Sequence, residues 1–511
     1  MLREYSFQEL ADWDRQVFNT VVPSDHFLRL ALHLIPWQEL SESLADYYTA
    51  EMGRPALTPL RMLKLEYLRY HYNLSDRDVV VRAETDLAFR LFLQLSLAHP
   101  LPHSSSLCYF RGRLGLEGFK MIFDRVVGSA REHGFVKDRL RIKDATHVIG
   151  NIAIPTALAL VAQTRDKLLD AAEPFAEVMV AGERVNLELM RTTTQLLAPG
   201  ERLVTRLVYL RELLVWVDEI ESPANADKKQ WQRFLNQRDL AHKILSDQEQ
   251  PSSGDQTIST TDPDARRGRH GDFYNGYLVD IIIDADSEII TQLNVLPANG
   301  NEGFDAVELL EREEAAHGND VQAISIDGAG FSGPLLRSLQ DPAGLNVEAF
   351  VPVPTGRADK RFNHDDFSYD PQSDTMTCPA GKTSKTGSHS DIKQTTRYRF
   401  SVSDCRACPL LECCMKTSPK TCGRTVCKSD YQSEHEQAKQ KTSTQAYQQI
   451  RHEHPKIERK LGEMMNRHGG RHAKYFGQAK VTIQETMAGL ATNIKRMVKL
   501  HCAPIPSPNA I

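Results

Sequence analysis

The segment from Gly276 to Pro297, GYLVDIIIDADSEIITQLNVLP, constrains the fold more than any other stretch of this chain. Two apolar runs flank a polar turn at Asp284 to Ser287, the pattern of a β-hairpin. Runs that are apolar at nearly every position need cover on both faces, and helices are the usual cover. Further strands follow from the same kind of reading. RLRIKDATHVIGNIAI, from Arg139, alternates as a strand with Asp144 in its middle; VQAISIDGAG is a short strand ending at Asp327; NVEAFVPVP supplies another. A helix is expected near residues 303–316. From about Thr444 to Val498 the period is helical, with Pro455 opening a pattern in which Ile457, Leu461 and Met464 share a face. This order predicts an α/β fold, a mixed sheet flanked by helices.

Two helical regions stand outside that sheet. Residues 155–249, for example LVTRLVYLRELLVWVDEI, interrupt the strands 139–154 and 250–377 and read as inserted helices. Residues 1–125 form a helical N-terminal domain. There Thr58 is the expected N-cap before Pro59, with Leu60, Leu63 and Tyr67 on one face. Asn73 and Leu74 break the pattern, and Ser75 caps a second helix with Asp78 three residues on. Such a pair suits a helix-turn-helix that contacts DNA or a simple packing unit. The polar stretch PSSGDQTISTTDPDARRGRHGDFYNG reads as a surface or substrate-facing loop, and PIPSPNA as a frayed tail.

Composition narrows the function. The chain has 511 residues and no apolar run of membrane-spanning length, and MLREYSFQEL does not read as a signal peptide, so a cytoplasmic, nucleoid-associated protein with no membrane partner is expected. The formal charge of −5 hides an asymmetry: residues 378–511 hold 23 Lys and Arg against 10 Asp and Glu, a net +13, leaving −18 for residues 1–377. A chain of this kind can hold a polyanion at one end. Arg451, Arg459, Lys460, Arg467, Arg471, Lys474 and Lys480 are the candidate phosphate contacts. Seven of the nine cysteines crowd between Cys378 and Cys427, in a segment taken as 378–430, which favours metal ligands over disulfides. A structural Zn²⁺ could use Cys378, Cys405 and Cys408 with either Cys413 or Cys414; Cys413 is taken as the fourth.

Asp144, Asp327 and Glu458 are the candidate catalytic acids. Carboxylates near the ends of adjacent strands, joined by one from a helix, can hold two divalent cations that activate a hydroxyl and stabilise the leaving oxygen in phosphoryl transfer. An oxygen-only set suits Mg²⁺ or Mn²⁺. Taken singly, each acid is as readily a turn, cap or solvated helix residue.

Read in order, these motifs resemble the cut-and-paste insertion-sequence transposases of the Asp-Asp-Glu (DDE) class, in the bacterial branch with a helical N-terminal domain and a cysteine-rich segment. The first acid matches KDATHV at Asp144; TTDPDARRGRH and NGYLVDIII precede the second, matched by IDGAGF at Asp327; IERKLGEM matches the third at Glu458. The segment RHGGRHAKYFGQAKVTIQETMAGLATNIKRM resembles the family's basic helix, glycine turn and Asn-containing terminal helix. Two positions depart: Met465 stands where a basic residue is usual, with Arg467 nearest, and the Gly-Phe pair after Asp327 falls one residue late. The resemblance implies an RNase H-like core with Asp144 on the first strand, Asp327 after the fourth and Glu458 on a later helix of residues 444–498. It implies a Mg²⁺-dependent (or Mn²⁺-dependent) endonuclease and strand-transfer activity on double-stranded DNA, at element ends and target, by a homodimer or larger assembly. A catalytically degenerate DNA-binding descendant and a purely hydrolytic nuclease are the alternatives.

Overall fold

The computed structural model describes residues 10–48, 58–250, 254–301, 303, 305–354 and 361–503; the tail PIPSPNA lies outside them. The N-terminal region is all-helical: α1 (Asp12–Val21), α2 (Phe27–Leu34), α3 (Trp37–Ser43), α4 (Pro59–His71), α5 (Asp76–Thr85), α6 (Leu87–Leu93) and α7 (Ser105–Glu132), which kinks at Gly115. Strand β1 (Arg141–Ile149) follows, then the inserted helices α8 (Ala157–Ala172), α9 (Glu177–Thr194), α10 (Pro199–Val217) and α11 (Lys228–Glu249). Next come β2 (Arg266–His270), β3 (Asp272–Asp284), β4 (Ile290–Pro297), α12 (Ala306–His317), β5 (Ala323–Ser325), α13 (Gly333–Leu339) and β6 (Glu348–Phe350). The cysteine-rich segment carries β7 (Ser368–Asp370), β8 (Thr375–Thr377), β9 (Ser388–Ser390), β10 (Thr395–Arg399), α14 (Val402–Arg406), α15 (Leu411–Cys414) and β11 (Thr425–Ser429). Helices α16 (Gln432–Lys441), α17 (Gln445–Glu453), α18 (Pro455–Arg467) and α19 (Gln478–His501) end the described chain.

The main sheet runs β2-β3-β1-β5-β6, with β4 also on β3. A mixed sheet of this order, entered from a helical domain and interrupted by helices after its first strand, is an RNase H-like core. Its residues fall into two compact units, one within 1–137, 144–302 and 456–511, the other within 138–143 and 303–455.

In the first unit the hairpin forms where expected. β3 and β4 pair antiparallel from Tyr277↔Pro297 to Ile283↔Ile290, and Asp284 closes the turn by accepting from the Ser287 amide (2.8 Å) and hydroxyl (2.6 Å). Helix α19 covers it: Asn493 exchanges hydrogen bonds with the Ile290 backbone at 2.8 and 2.7 Å, a polar anchor inside the core. Most of α4 is buried, and Arg69 and Arg111 pair with Glu66 and Asp76 across α4, α5 and α7, so α4 is a packing helix. Ser75 caps α5 as expected, accepting from the Asp78 amide at 3.1 Å, whereas Thr58 makes no side-chain cap. The insertion has its own apolar core, built from residues such as Leu168, Val180, Leu213, Phe234 and Ile244.

The structure departs from expectation in the strand count and in the C-terminal helices, and it adds detail to the cysteine segment. Residues 266–270 are strand β2 and not loop, so Asp327 follows the fifth strand and not the fourth. The cysteine segment holds short antiparallel strands, and residues 468–477 separate α18 from α19.

In the second unit, β5 pairs parallel with the first residues of β1, Arg141↔Ile324 and Ile142↔Ser325, and with β6 on its other side. The opening of β1 carries two buried cations. Arg141 is fully buried and bonds Glu313 of α12, also fully buried, at 2.7 Å; Lys143 pairs with Asp305 at 3.1 Å. Removing one partner of such a pair leaves an uncompensated buried charge. Glu313→Ala is therefore expected to cost about 3–5 kcal/mol in denaturant unfolding, and the double variant Arg141→Met/Glu313→Leu to recover most of that loss.

Candidate active site and nucleic-acid interface

Each candidate acid sits on an element whose local chemistry fixes it. Asp144 lies in β1, partly buried, its Oδ1 accepting from the Ala145 amide at 2.8 Å. Asp327 follows β5 and caps a single 3₁₀ turn, accepting from the Ala329 amide at 3.0 Å. Each aspartate stands two residues beyond the last residue that β1 and β5 pair with each other, Ile142 and Ser325, and β1 itself runs on to Ile149 beside β3. Glu458 is exposed on α18, beside Ile457, Leu461 and Met464, which are buried. Asp144 and Glu458 belong to the first unit and Asp327 to the second. Among the described residues no group of three or more His, Cys, Asp or Glu side chains is arranged to hold a metal ion.

In the second unit, the strand end before Asp327 is held from α17. Arg451 donates to the Ile326 carbonyl (2.9 Å) and the Ser325 hydroxyl (3.1 Å), and His454 bonds the same hydroxyl at 3.1 Å. Burial, with the charge of Arg451, pushes His454 down to about 4, so it is neutral at pH 7. Arg451 is thus engaged in shaping the Asp327 turn.

In the first unit, residues 468–474 lie along the far end of β1. Ile149 donates to the Arg471 carbonyl (2.9 Å) and accepts from the Ala473 amide (2.8 Å), while the Arg471 guanidinium donates to the Thr146 hydroxyl (3.2 Å) and the His147 carbonyl (2.7 Å). Helix α19 holds this loop from beneath. Gln484 accepts from the Lys474 amide at 2.7 Å and donates to the His472 carbonyl at 2.9 Å. Beside it Glu485 is fully buried, and its Oε2 has no hydrogen-bond partner among the described residues. Met465, 1% exposed, packs against Gly470, where an added Cβ would lie 2.8 Å from its methyl carbon. That position is interior, so the apolar departure noted in the sequence fits its place, and the exposed cation is Arg467.

The other predicted cations divide in the same way. Lys460 is buried against Glu463 (3.1 Å) and Glu288 (3.7 Å); Arg459 is exposed and reaches Glu288 at 3.3 Å; Lys474 is exposed and donates to Asn73 at 3.0 Å; Lys480 is exposed.

A further basic surface was hidden in the sequence by its loop-like composition. β2 and β3 pair from Arg266↔Gly276 to His270↔Asp272 around Gly271. Strand alternation sets Arg267, Arg269 and Phe273 on one face. Both guanidinium groups lie over the Phe273 ring, at 4.7 and 5.6 Å, and Phe273 is 65% exposed. The opposite face carries His270 and Tyr274, whose rings meet His147 of β1 at 5.4 and 5.0 Å. Tyr277 is a core residue donating to buried Asp262 at 2.5 Å, and Phe331 stacks on His435 at 4.8 Å.

Comparison with known proteins agrees with this architecture. The helical N-terminal region matches a transposase domain (DUF772) over residues 16–113, and residues 377–498 match a transposase DDE domain. Both matched stretches are transposase domains, consistent with a bacterial DDE-class transposase, and the DDE domain supports polynucleotidyl transfer as the general function of that family. The DDE match contains Glu458 and the cysteine segment; Asp144 and Asp327 lie before it. A Rhizobium meliloti protein described as "Uncharacterized protein ORF8 in nfe locus" is 30% identical over 114 residues, which is 22% of this chain and 54% of that protein. The chain thus spans about half the length of this curated relative. No solved structure matches the chain. No helix among the described residues is long and apolar enough to cross a membrane.

Burial pushes Glu485 up to about 8, despite Gln484, Lys474 and Arg471 nearby. A carboxyl raised above its unfolded value binds more protons when folded, so its effect on stability worsens as pH climbs from about 4.5 and levels off above about 8. Glu485→Gln removes that dependence. In melting curves from about pH 5 to 9, the wild-type midpoint is expected to fall relative to the variant, with the variant the more stable at the alkaline end.

Proposed function

We propose that this protein cleaves DNA at the terminal inverted repeats of a mobile element and transfers the resulting 3'-hydroxyl ends into target DNA, with Asp144, Asp327 and Glu458 as its catalytic acids. The observation that supports the reading is the matched offset of the two aspartates, each two residues past the last residue that β1 and β5 pair with each other, Ile142 or Ser325. The donor set is carboxylate oxygen alone, the chemistry of a Mg²⁺ or Mn²⁺ site. When bound, such ions lower the pKa of an attacking hydroxyl and offset charge on the leaving oxygen. The chain's own contribution is placement: Arg451 and His454 hold the turn that presents Asp327, and Arg471 is seated on the strand that presents Asp144.

Arg267, Arg269 and Phe273 suit a DNA backbone with an unstacked base beside it, since cations neutralise phosphates and an exposed ring stacks on any base. The exposed Arg459, Arg467, Lys474 and Lys480 would add to this grip, and the N-terminal helices are the candidate reader of the repeat. Joining two ends requires at least a homodimer, acting on DNA in the nucleoid. A purely hydrolytic nuclease would keep the same acids and give no joined product.

Incubation with element-end DNA and Mg²⁺ is expected to yield 3'-hydroxyl ends and joined products. Asp327→Ala should lower both on the order of a hundredfold or more while end binding persists, the scale of losing a charge-stabilising group. Cleavage without joining would establish the hydrolytic reading, and binding without cleavage a degenerate copy. Arg267→Ala/Arg269→Ala is expected to weaken binding to all sequences alike and to reduce the salt dependence of log K by about one per lost phosphate contact, measured by titration at several ionic strengths.

A further inference from the structure

The cysteine-rich segment has more chemistry than packing. Its core is five buried residues, Phe367, Met376, Tyr398, Phe400 and Val426, among strands of three to five residues. A core this small is marginal without a covalent or metal staple. Beside it is a cavity of about 30 Å³, lined by Cys378, Cys405, Cys408 and Cys414, room for one ion or water.

We propose that Cys378, Cys405, Cys408 and Cys414 form a tetrathiolate zinc site that staples this segment. Three features of the surroundings support it. First, two of the sulfurs already accept backbone amides: Lys382 N–H donates to Cys378 Sγ and Arg424 N–H to Cys405 Sγ, both at 3.4 Å. Such N–H···S bonds orient a thiolate and stabilise its charge. Second, four thiolates around Zn²⁺ carry a net charge of about −2, and Lys382 and Arg424 line the same cavity, with Asp404 the opposing acid. Third, Gly423 leaves room for the sulfur, because an added Cβ there would lie 3.0 Å from Cys405 Sγ and 2.5 Å from the Phe400 carbonyl.

This assignment replaces Cys413 as fourth ligand. Cys413 is exposed and lies outside the cavity, while Cys414, at the end of α15, faces it. The sulfurs stand around the cavity without having closed on a common point. The site would tie the turn at Cys378–Lys382, α14 and α15 into one body, so zinc binding and folding of the segment are coupled.

The test is metal content of the full chain, purified reduced from zinc-supplemented cells, read together with the Co²⁺-substituted spectrum. One zinc per chain is expected, with a Co²⁺ spectrum whose charge-transfer intensity reports four sulfur ligands. Cys414→Ser and Cys408→Ser should lose the metal, and Cys413→Ser should retain it. Absence of stoichiometric zinc, disulfides in place of thiols, a Co²⁺ spectrum with fewer than four sulfurs, or loss in Cys413→Ser equal to that in Cys414→Ser would overturn the proposal. Because the Co²⁺ spectrum is read on the wild-type chain, poor folding of a variant leaves the proposal testable, and none of these readouts depends on DNA cleavage.

Discussion

The buried pair between Arg141 and Glu313 is the constraint on which the second unit turns. An arginine with no exposed surface tolerates that place only if a carboxylate meets it, since the desolvation of either charge alone costs several kcal/mol. Lys143 repeats the demand two residues later and is met by Asp305 at the head of the same helix, α12. Two cations on one face of a strand, answered by two acids on one helix, admit a single register of that strand against that helix. A slip of one residue would turn both cations to the opposite face. The register of β1 against β5 follows, and with it the position of Asp144 along its strand. Replacing such pairs by well-packed apolar residues is often neutral for stability, so their value here is positional. We read them as the device that fixes where β1 begins.

Charge in the C-terminal region is divided between building and binding. Arg451 and Arg471 are occupied by backbone carbonyls and hydroxyls next to the two aspartates, and Lys460 is buried among acids. Such a cation makes the surface rigid before any ligand arrives, and rigid placement is what the proposed in-line phosphoryl transfer needs. Arg467 and Lys480, by contrast, face solvent. The +13 of residues 378–511 therefore overstates the charge available to phosphate.

Much of the fold was legible because its elements carry strong local signals. The apolar runs of β3 and β4, the Asp284 turn, the helical face of Ile457, Leu461 and Met464, and the serine cap of α5 depend on neighbours within a few residues. The elements that present Asp144, Asp327 and Glu458 were readable for the same reason. What was hidden depends on partners far away in sequence. Arg471 meets Thr146 across 325 positions, and no periodicity in RHGGRH records that bond. RRGRH was read as loop because it lacks apolar residues, yet it pairs along β3 as an edge strand, where polar side chains are tolerated. The choice between Cys413 and Cys414 turns on the phase of a four-residue helix, too short for its face to show in sequence.

The helical insertion shows how a sheet survives so long an interruption. More than a hundred residues separate the end of β1 from the start of β2, and closing a flexible loop of that length would cost entropy with no compensating contact. Here α8 to α11 bury a core of their own, so the insertion returns its ends at little cost to the sheet. The rejoining is tight. Gly150 donates to the Asn275 carbonyl at 2.8 Å, and Gly276 adopts φ +147°, with the Val148 carbonyl only 2.2 Å from where a Cβ would stand. Any side chain at 276 would push β3 off β1, and with it the β2–β3 hairpin that carries Arg267, Arg269 and Phe273. The glycine preceding the apolar run is therefore the point where the hairpin's basic face and the strand of Asp144 are held in one sheet, which ties the proposed DNA-binding face to one of the candidate catalytic acids.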